Sequence, residues 1–119
     1  MTQQNNLFIC GLACALLLAP GCNQQKHANI STTDLYRLHC SGCHGDGTGN
    51  GHIAQTLKTR PRNLQHKEWQ SSVSDEHIQK VIRDGGLSAK LSEEMPAFAT
   101  KLTEQQIAGL TQYIRRLGM

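Results

Sequence analysis

Cys40-Ser41-Gly42-Cys43-His44 is the stretch that decides the fold, because it specifies a chemistry as well as a local structure. Two thiols separated by two residues and followed at once by an imidazole form the Cys-x-x-Cys-His pattern of c-type haem attachment. Each thiol can add to one vinyl group of the porphyrin, and the histidine is then carried over the ring face, where it can bind iron. The motif therefore predicts one haem c, bound covalently through Cys40 and Cys43, with His44 as the proximal ligand.

Met95 is the candidate for the second axial ligand of that iron. It is the only methionine between the initiator and the C-terminal residue, and it lies in a polar stretch before Pro96, whose ring fixes the backbone. A lone methionine more often fills a core, but such fillers lie on apolar stripes and Met95 does not. Its loop position predicts iron ligation opposite His44, a ligand pair that raises the reduction potential of a c-type haem. His52 or His66 is the alternative sixth ligand.

Arg62 and Trp69 are the candidates for holding the haem propionates. Both lie between the motif and the next predicted helix. A guanidinium group pairs well with a carboxylate, and an indole N–H can donate a hydrogen bond at a buried edge. The alternative is a solvated loop with a partly buried tryptophan.

The composition fits one small domain that needs a cofactor for stability. The 119 residues include two Phe, two Tyr and one Trp, so the core must be built mainly from aliphatic side chains. Outside the motif, the cysteines are confined to the N-terminal stretch, which leaves no pair for a structural disulfide, and a bound cofactor can replace that constraint. The formal net charge is +3 with no basic run, which gives no reason to expect nucleic-acid binding.

The N-terminus is predicted to direct export. Residues 7–20 are apolar over the length of a signal-peptide core and too short to span a bilayer, although no basic residue precedes them. Leu18-Ala19-Pro20-Gly21-Cys22 resembles the lipobox of bacterial lipoproteins at Gly21 and Cys22. We therefore predict a signal peptide over 1–21, a tether over 22–30 and a domain over 31–119, with the protein in the periplasm and anchored to the membrane by a lipid on Cys22. Ordinary cleavage that leaves a free thiol is the alternative.

The rest of the chain predicts an all-α domain without strands. Three helices are predicted, over residues 31–43, 74–84 and 103–117. Each begins with an apolar residue followed by a hydroxyl side chain suited to an N-cap, namely Ser31, Ser74 and Thr103. The first and third also have the spacing of a capping box, and Gly85-Gly86 suits a left-handed C-cap after the second.

From residue 31 to residue 119 the chain resembles a single-haem class I cytochrome c of the bacterial periplasm. The matching features are the Cys-x-x-Cys-His motif with Gly45, the Gly-rich loop over 45–51, the stretch 61–64, Trp69, Gly85-Gly86, the stretch 95–98 and the terminal stretch 113–117. The resemblance implies a small class I cytochrome c fold, with helices packed around one covalently attached haem. It also implies that the first and last helices cross at near right angles, with Tyr36 and Tyr113 near their contact, and that one haem edge is exposed.

The resemblance leaves one detail of the iron site open. In many relatives a proline shortly after the Gly-rich loop lends its backbone carbonyl to the proximal histidine. In this chain His52 stands at the corresponding place. The sequence therefore does not identify the carbonyl that orients His44.

These features together predict a one-electron carrier between periplasmic or membrane-bound redox partners, and no enzyme activity. Electrons would pass through the exposed haem edge, and a saturated iron would bind no substrate. One alternative is a haem-based gas sensor or weak peroxidase, which would require Met95 to leave the iron. A second is an electron-transfer subunit docked permanently in an oxidoreductase complex. A third is a thiol oxidoreductase using Cys40 and Cys43, which would need a βαβ context that an all-helical chain lacks.

Overall fold

The computed structural model describes residues 30–119, which contain five α-helices and no β-strand. The helices are α1 (Thr32–His39), α2 (Ser41–His44), α3 (Lys67–Ser72), α4 (Asp75–Asp84) and α5 (Glu104–Leu117), with 3₁₀ turns at Ala54–Thr56 and Leu87–Ala89. The all-α prediction is confirmed for this part of the chain. Within residues 30–119, no helix combines the length and apolar character that crossing a bilayer requires. The predicted signal peptide, Cys22 and nearly all of the tether lie outside the described residues.

Three helices begin at the N-caps that the sequence predicts. The hydroxyls of Ser31, Ser74 and Thr103 each accept a hydrogen bond from the backbone N–H three residues later, at 3.1, 3.2 and 3.2 Å. Thr103 completes a capping box, because the Gln106 side chain accepts a hydrogen bond from the Thr103 N–H at 2.9 Å. No such box forms at Ser31, since the shorter carboxylate of Asp34 accepts its hydrogen bond from the Ser31 hydroxyl instead, at 2.7 Å.

Two features of the helical layout differ from the prediction. The first predicted helix is interrupted at Cys40, whose φ of −117° ends α1 and begins the single turn of α2. Helix α3 was not predicted at all. It is six residues long with Trp69 as its one large apolar residue, so it shows no apolar periodicity, and helices this short are stabilised by tertiary contacts rather than by propensity.

The core lies where α5 packs against both α1 and α4. Its buried members are mostly aliphatic: Leu35, Tyr36, Leu64, Ile78, Ile82, Phe98, Leu102, Ile107, Leu110 and Ile114. Tyr36 and Tyr113 stack at the contact between α1 and α5, with ring centroids 4.8 Å apart and planes inclined by 36°. Their predicted proximity is confirmed, and the crossing angle of the two helices stays a prediction.

Arg115 braces α5 against α3 and the start of α4. Its guanidinium donates hydrogen bonds to the Asp75 carboxylate at 2.7 Å, to the Gln70 carbonyl at 2.5 Å and to the Val73 carbonyl at 2.8 Å. The Gln70 side-chain amide in turn donates to the carbonyl of Leu64 at 2.6 Å. These bonds hold the unpredicted helix α3 and the segment before it against the C-terminal helix.

Candidate functional site

A cavity of about 940 Å³ lies between α1, α2, α4 and the loops that connect them. All six predicted site residues line it, namely Cys40, Cys43, His44, Arg62, Trp69 and Met95. Much of the remaining lining is aliphatic, from Leu57, Leu64, Val73, Ile78, Val81, Ile82, Leu91 and Ile114. Its size and largely apolar lining are those of a site for a large, mainly apolar cofactor.

The two thiols are brought to the cavity by the single turn of α2. The backbone N–H groups of Cys43 and His44 both donate to the Cys40 carbonyl, at 3.2 and 2.9 Å. Burial raises the pKa of the Cys40 thiol to about 12, and the nearby charge of Cys43 adds to this shift. A redox-active Cys-x-x-Cys motif needs a thiol with a lowered pKa. The raised pKa therefore disfavours the thiol-oxidoreductase alternative.

His44 is oriented by the backbone carbonyl of Arg62. The distance from His44 Nδ1 to the Arg62 oxygen is 3.0 Å. A carbonyl oxygen can only accept, so Nδ1 carries the proton and Nε2 keeps its lone pair. Burial lowers the pKa of His44, while the bond to Arg62 acts in the opposite direction. The result is a neutral imidazole with a free Nε2, which is the form that ligates a metal, and Arg62 supplies the carbonyl that the sequence left open.

The Gly-rich loop supports this carbonyl. Gly49 has φ of +81° and packs so closely on the Pro61 carbonyl that a Cβ there would overlap it. The Leu64 N–H donates to the Gly47 carbonyl at 2.6 Å. The backbone of the loop thus packs against the segment that presents the Arg62 carbonyl to His44. Glycine suits position 49 because it has no Cβ to overlap the Pro61 carbonyl and because it tolerates a positive φ.

Met95 is held against the C-terminal end of α4. The Gly86 N–H donates to the Met95 carbonyl at 2.9 Å, and the Met95 N–H donates to the Ser92 carbonyl at 3.3 Å. Gly85 ends α4 with φ of +82°, as a glycine C-cap requires, but its ψ of 168° lies outside the left-handed helical region that was predicted. A Cβ on Gly85 would come within 3.0 Å of the Met95 carbonyl oxygen, so a glycine is needed for this close approach.

Glu94 is a site residue that the sequence did not reveal. Its carboxylate accepts hydrogen bonds from the backbone N–H groups of Lys58 and Thr59, each at 2.9 Å. These bonds hold the pKa of Glu94 below its ordinary value, so the carboxylate stays charged. Nothing in the sequence could have indicated them, because the donors are main-chain groups more than thirty residues away.

The Tyr36 hydroxyl tests whether these residues fit a haem. It is buried and has no hydrogen-bond partner among residues 30–119, and Tyr36 lines the cavity. Burial is the main cause of its raised pKa, so the group remains a neutral donor. A buried hydroxyl needs an acceptor, and a carboxylate oxygen of a haem in this cavity would supply one. Together with two thiols, a neutral imidazole and a thioether around one apolar cavity, this orphaned donor fits a haem c.

Comparison with known proteins identifies the family. The family model described as cytochrome c oxidase, cbb3-type, subunit III matches residues 29–114. The chain belongs to this family. Its fold is therefore that of a class I c-type cytochrome, as predicted, and the family implies a covalently bound haem c and haem-based electron transfer.

Two solved structures are similar to this cytochrome over most of its length. The KustC0563 c-type cytochrome is 33% identical, with a TM-score of 0.60, and the match covers 76% of this chain and 100% of that chain. A mutant of Kustc0563 is 31% identical, with a TM-score of 0.59, and the match covers 74% of this chain and 99% of that one. A search of the curated proteins found no match.

The two histidines named as alternatives to Met95 do not line the cavity of the cytochrome. His52 lies on an exposed stretch, and His66 is exposed beside Glu68, with a distance of 3.2 Å between the two groups. His77 of α4 lines the cavity instead. Neither predicted alternative is therefore placed where a sixth ligand would be needed.

The rim of the cavity carries cations without anionic partners. The exposed side chains of Arg60, Arg62 and Lys90 line the cavity, and none of them forms an ion pair with a described residue. Most arginines elsewhere are paired, as Arg83 is with Glu104 and Arg115 with Asp75. Three cations without an ion-pair partner among the described residues thus line the cavity, where each is available to pair with a carboxylate of a bound cofactor.

Proposed function

We propose that this cytochrome is a one-electron carrier with a single haem c, attached through Cys40 and Cys43 and ligated by His44 and Met95. The observation that carries the proposal is one cavity lined by both thiols, an imidazole oriented by a carbonyl, and a thioether on an anchored loop. When bound, the haem would supply a one-electron iron couple. The two protein ligands would leave no open coordination position for a substrate, which supports a carrier rather than an enzyme.

The surroundings of the two ligands suit that role. The His44 ring is bonded to the Arg62 carbonyl, and the Met95 main chain is bonded to Gly86 and Ser92, so neither ligand would need to be repositioned between oxidation states. The aliphatic lining would keep water away from a bound haem, and together with a thioether ligand it would favour the less charged, reduced state. We therefore expect fast electron transfer at a high reduction potential.

The propionates of the haem would be held at the cationic rim. Arg62 and Trp69 are the side chains that the sequence suggests for this role, and both line the cavity. Arg60 and Lys90 add two further charges at the same edge. Pairing with the propionates would neutralise charges that have no other partner among the described residues.

The partners are proposed to be periplasmic or membrane-bound redox proteins. The predicted signal peptide and the lipobox-like stretch ending at Cys22 support a periplasmic location with a lipid anchor. The matching family model is named for an oxidase subunit, which favours the variant in which the chain is a docked electron-transfer subunit. Co-purification of an oxidase with the tagged chain from native membranes would favour that variant, and the lipid is tested by the intact mass of the membrane fraction.

The carrier proposal is tested on full-length protein produced with a haem-ligation system. We expect a mass increase of one haem, haem stain that survives denaturing electrophoresis, and ferrous protein that does not bind carbon monoxide at neutral pH. A Cys40→Ala, Cys43→Ala double variant is the control and should be colourless. Wild-type protein without covalent haem would contradict the attachment, and ready binding of carbon monoxide would favour a gas sensor or weak peroxidase.

A further inference from the structure

Glu94 connects two segments that both line the haem cavity. One carboxylate oxygen accepts from the Lys58 N–H and the other from the Thr59 N–H, each at 2.9 Å. Within residues 30–119, these are the hydrogen bonds that join the Met95 loop, residues 87–97, to the segment 54–63. Because both donors are main-chain groups, the interaction fixes the backbone of that segment and not merely a side chain.

The Met95 loop is otherwise anchored at the α4 side. The Gly86 N–H holds the Met95 carbonyl at 2.9 Å, and the Leu91 N–H donates to the Gly86 carbonyl at 2.9 Å. The residues that follow the loop are also bonded to α4, through the Phe98 N–H and the Ile82 carbonyl at 3.0 Å. These bonds therefore hold the loop on its α4 side only. The Glu94 carboxylate attaches the loop on the opposite side, to the segment 54–63.

The Glu94 side chain is prepared for this contact by Ser92. The Glu94 N–H donates to the Ser92 hydroxyl at 3.2 Å, and that hydroxyl donates to a Glu94 carboxylate oxygen at 3.2 Å. An ionised carboxylate that accepts two N–H bonds makes charge-assisted contacts, which are stronger than neutral ones. The Glu94 carboxylate is therefore expected to oppose opening of the loop.

We propose that Glu94 is a positioning residue that clasps the Met95 loop onto Lys58 and Thr59 and so keeps the thioether on the iron. The inference rests on the proposed ligation by His44 and Met95. It names Glu94 as the residue that decides whether the iron stays ligated by Met95, as in an electron carrier, or becomes accessible to small molecules. With the clasp, Met95 leaves the metal rarely. Without it, the loop swings on its α4 attachment and exogenous ligands compete successfully.

The test compares Glu94→Gln with Glu93→Gln. Glu93 is exposed and forms no hydrogen bond or ion pair with a described residue, so its variant removes the same charge one position away. Glutamine at position 94 can accept at only one oxygen and presents an amide donor to the second N–H. Both variants keep their haem, because its attachment is covalent.

The measurement is the affinity of ferric holoprotein for added imidazole, with the thioether-to-iron charge-transfer band followed in the same titration. We expect Glu94→Gln to bind imidazole about tenfold more tightly than wild type, the effect of losing one charge-assisted hydrogen bond, and Glu93→Gln to match wild type. The imidazole affinity of Glu94→Asp should lie between those of wild type and Glu94→Gln, because aspartate keeps the charge but has a shorter side chain.

Equal affinities in all variants would overturn the clasp while leaving the ligation by His44 and Met95 intact. An equal rise in Glu93→Gln and Glu94→Gln would also overturn it, because the cause would then be charge alone. Wild-type protein that lacks the thioether band would instead refute the ligation, and the clasp with it.

Discussion

The two residues proposed as iron ligands are held in different ways. His44 follows Cys43 directly, its N–H donates to the Cys40 carbonyl at 2.9 Å, and its ring is oriented by Arg62. Met95 also has one local bond, from its N–H to the Ser92 carbonyl at 3.3 Å, but it is not next to a haem-attachment cysteine, and its loop is held by Gly86 and, through Glu94, by Lys58 and Thr59. The place of His44 beside an attachment cysteine is thus set within the motif, with Arg62 only orienting its ring, whereas the place of Met95 is set mainly by tertiary structure. Changes of coordination should therefore begin at Met95.

Replacing Met95 tests the weaker side directly and should have the largest effect. We expect Met95→Ala to lower the reduction potential by on the order of 0.1 V, within the roughly 0.8 V that axial ligands span. The ferrous variant should also bind carbon monoxide, because a coordination position is vacated. Spectroelectrochemistry and carbon monoxide titration measure both effects. His52→Ala is the control, and an unchanged potential in Met95→Ala would show that another group ligates the iron.

Arg115→Ala removes the brace that holds α5 against α3 and the start of α4, without touching either proposed ligand. We expect it to lower the free energy of unfolding by about 3 kcal/mol, because several hydrogen bonds from one charged group are lost at a side chain that is 20% exposed. Chemical denaturation of the holoprotein measures this loss. Arg116→Ala, on the exposed side of α5, should cost less than about 1 kcal/mol. A change of iron ligation in folded Arg115→Ala would contradict a covalently secured histidine side.

Gly49→Ala disturbs the support of the Arg62 carbonyl. A side chain at this positive φ, against the Pro61 carbonyl, should cost about 2 kcal/mol of folding free energy. The reduction potential should rise slightly, because a histidine with a weaker acceptor is less basic and stabilises oxidised iron less. Thermal unfolding and potentiometry measure the two effects. Gly109→Ala, inside α5 and without a positive φ, is the control and should leave the potential unchanged.

Lowering the pH should weaken the ion pair between α4 and α5, and this should be the smallest of the predicted effects on stability. The Arg115 guanidinium holds the pKa of Asp75 below its ordinary value, so folding favours the ionised carboxylate. This contribution is complete above the unfolded pKa of about 4 and is lost as the pH falls through the lowered folded value. The free energy of unfolding, measured from about pH 5 to about pH 2, should fall more steeply in wild type than in Asp75→Asn. Identical slopes would contradict the assignment.

The sequence predicts the parts of this molecule whose determinants are close together in the chain. The motif at residues 40–44 and the N-caps at Ser31 and Thr103 are each decided within a few positions. Helix α3 was missed because the group that holds it, the Arg115 guanidinium, lies far along the chain. The Glu94 contact was missed because its donors are backbone groups of a distant segment. The carbonyl of Arg62 was left open for the same reason, since a main-chain acceptor carries no side-chain signature.

The most direct test of the central claim is the proton NMR spectrum of reduced, haem-loaded protein. A methionine methyl group on the iron lies in the ring current of the porphyrin, so its resonance is shifted far upfield. We expect one such three-proton singlet in wild type and none in Met95→Ala. A haem-containing wild-type protein without that resonance would contradict ligation by His44 and Met95.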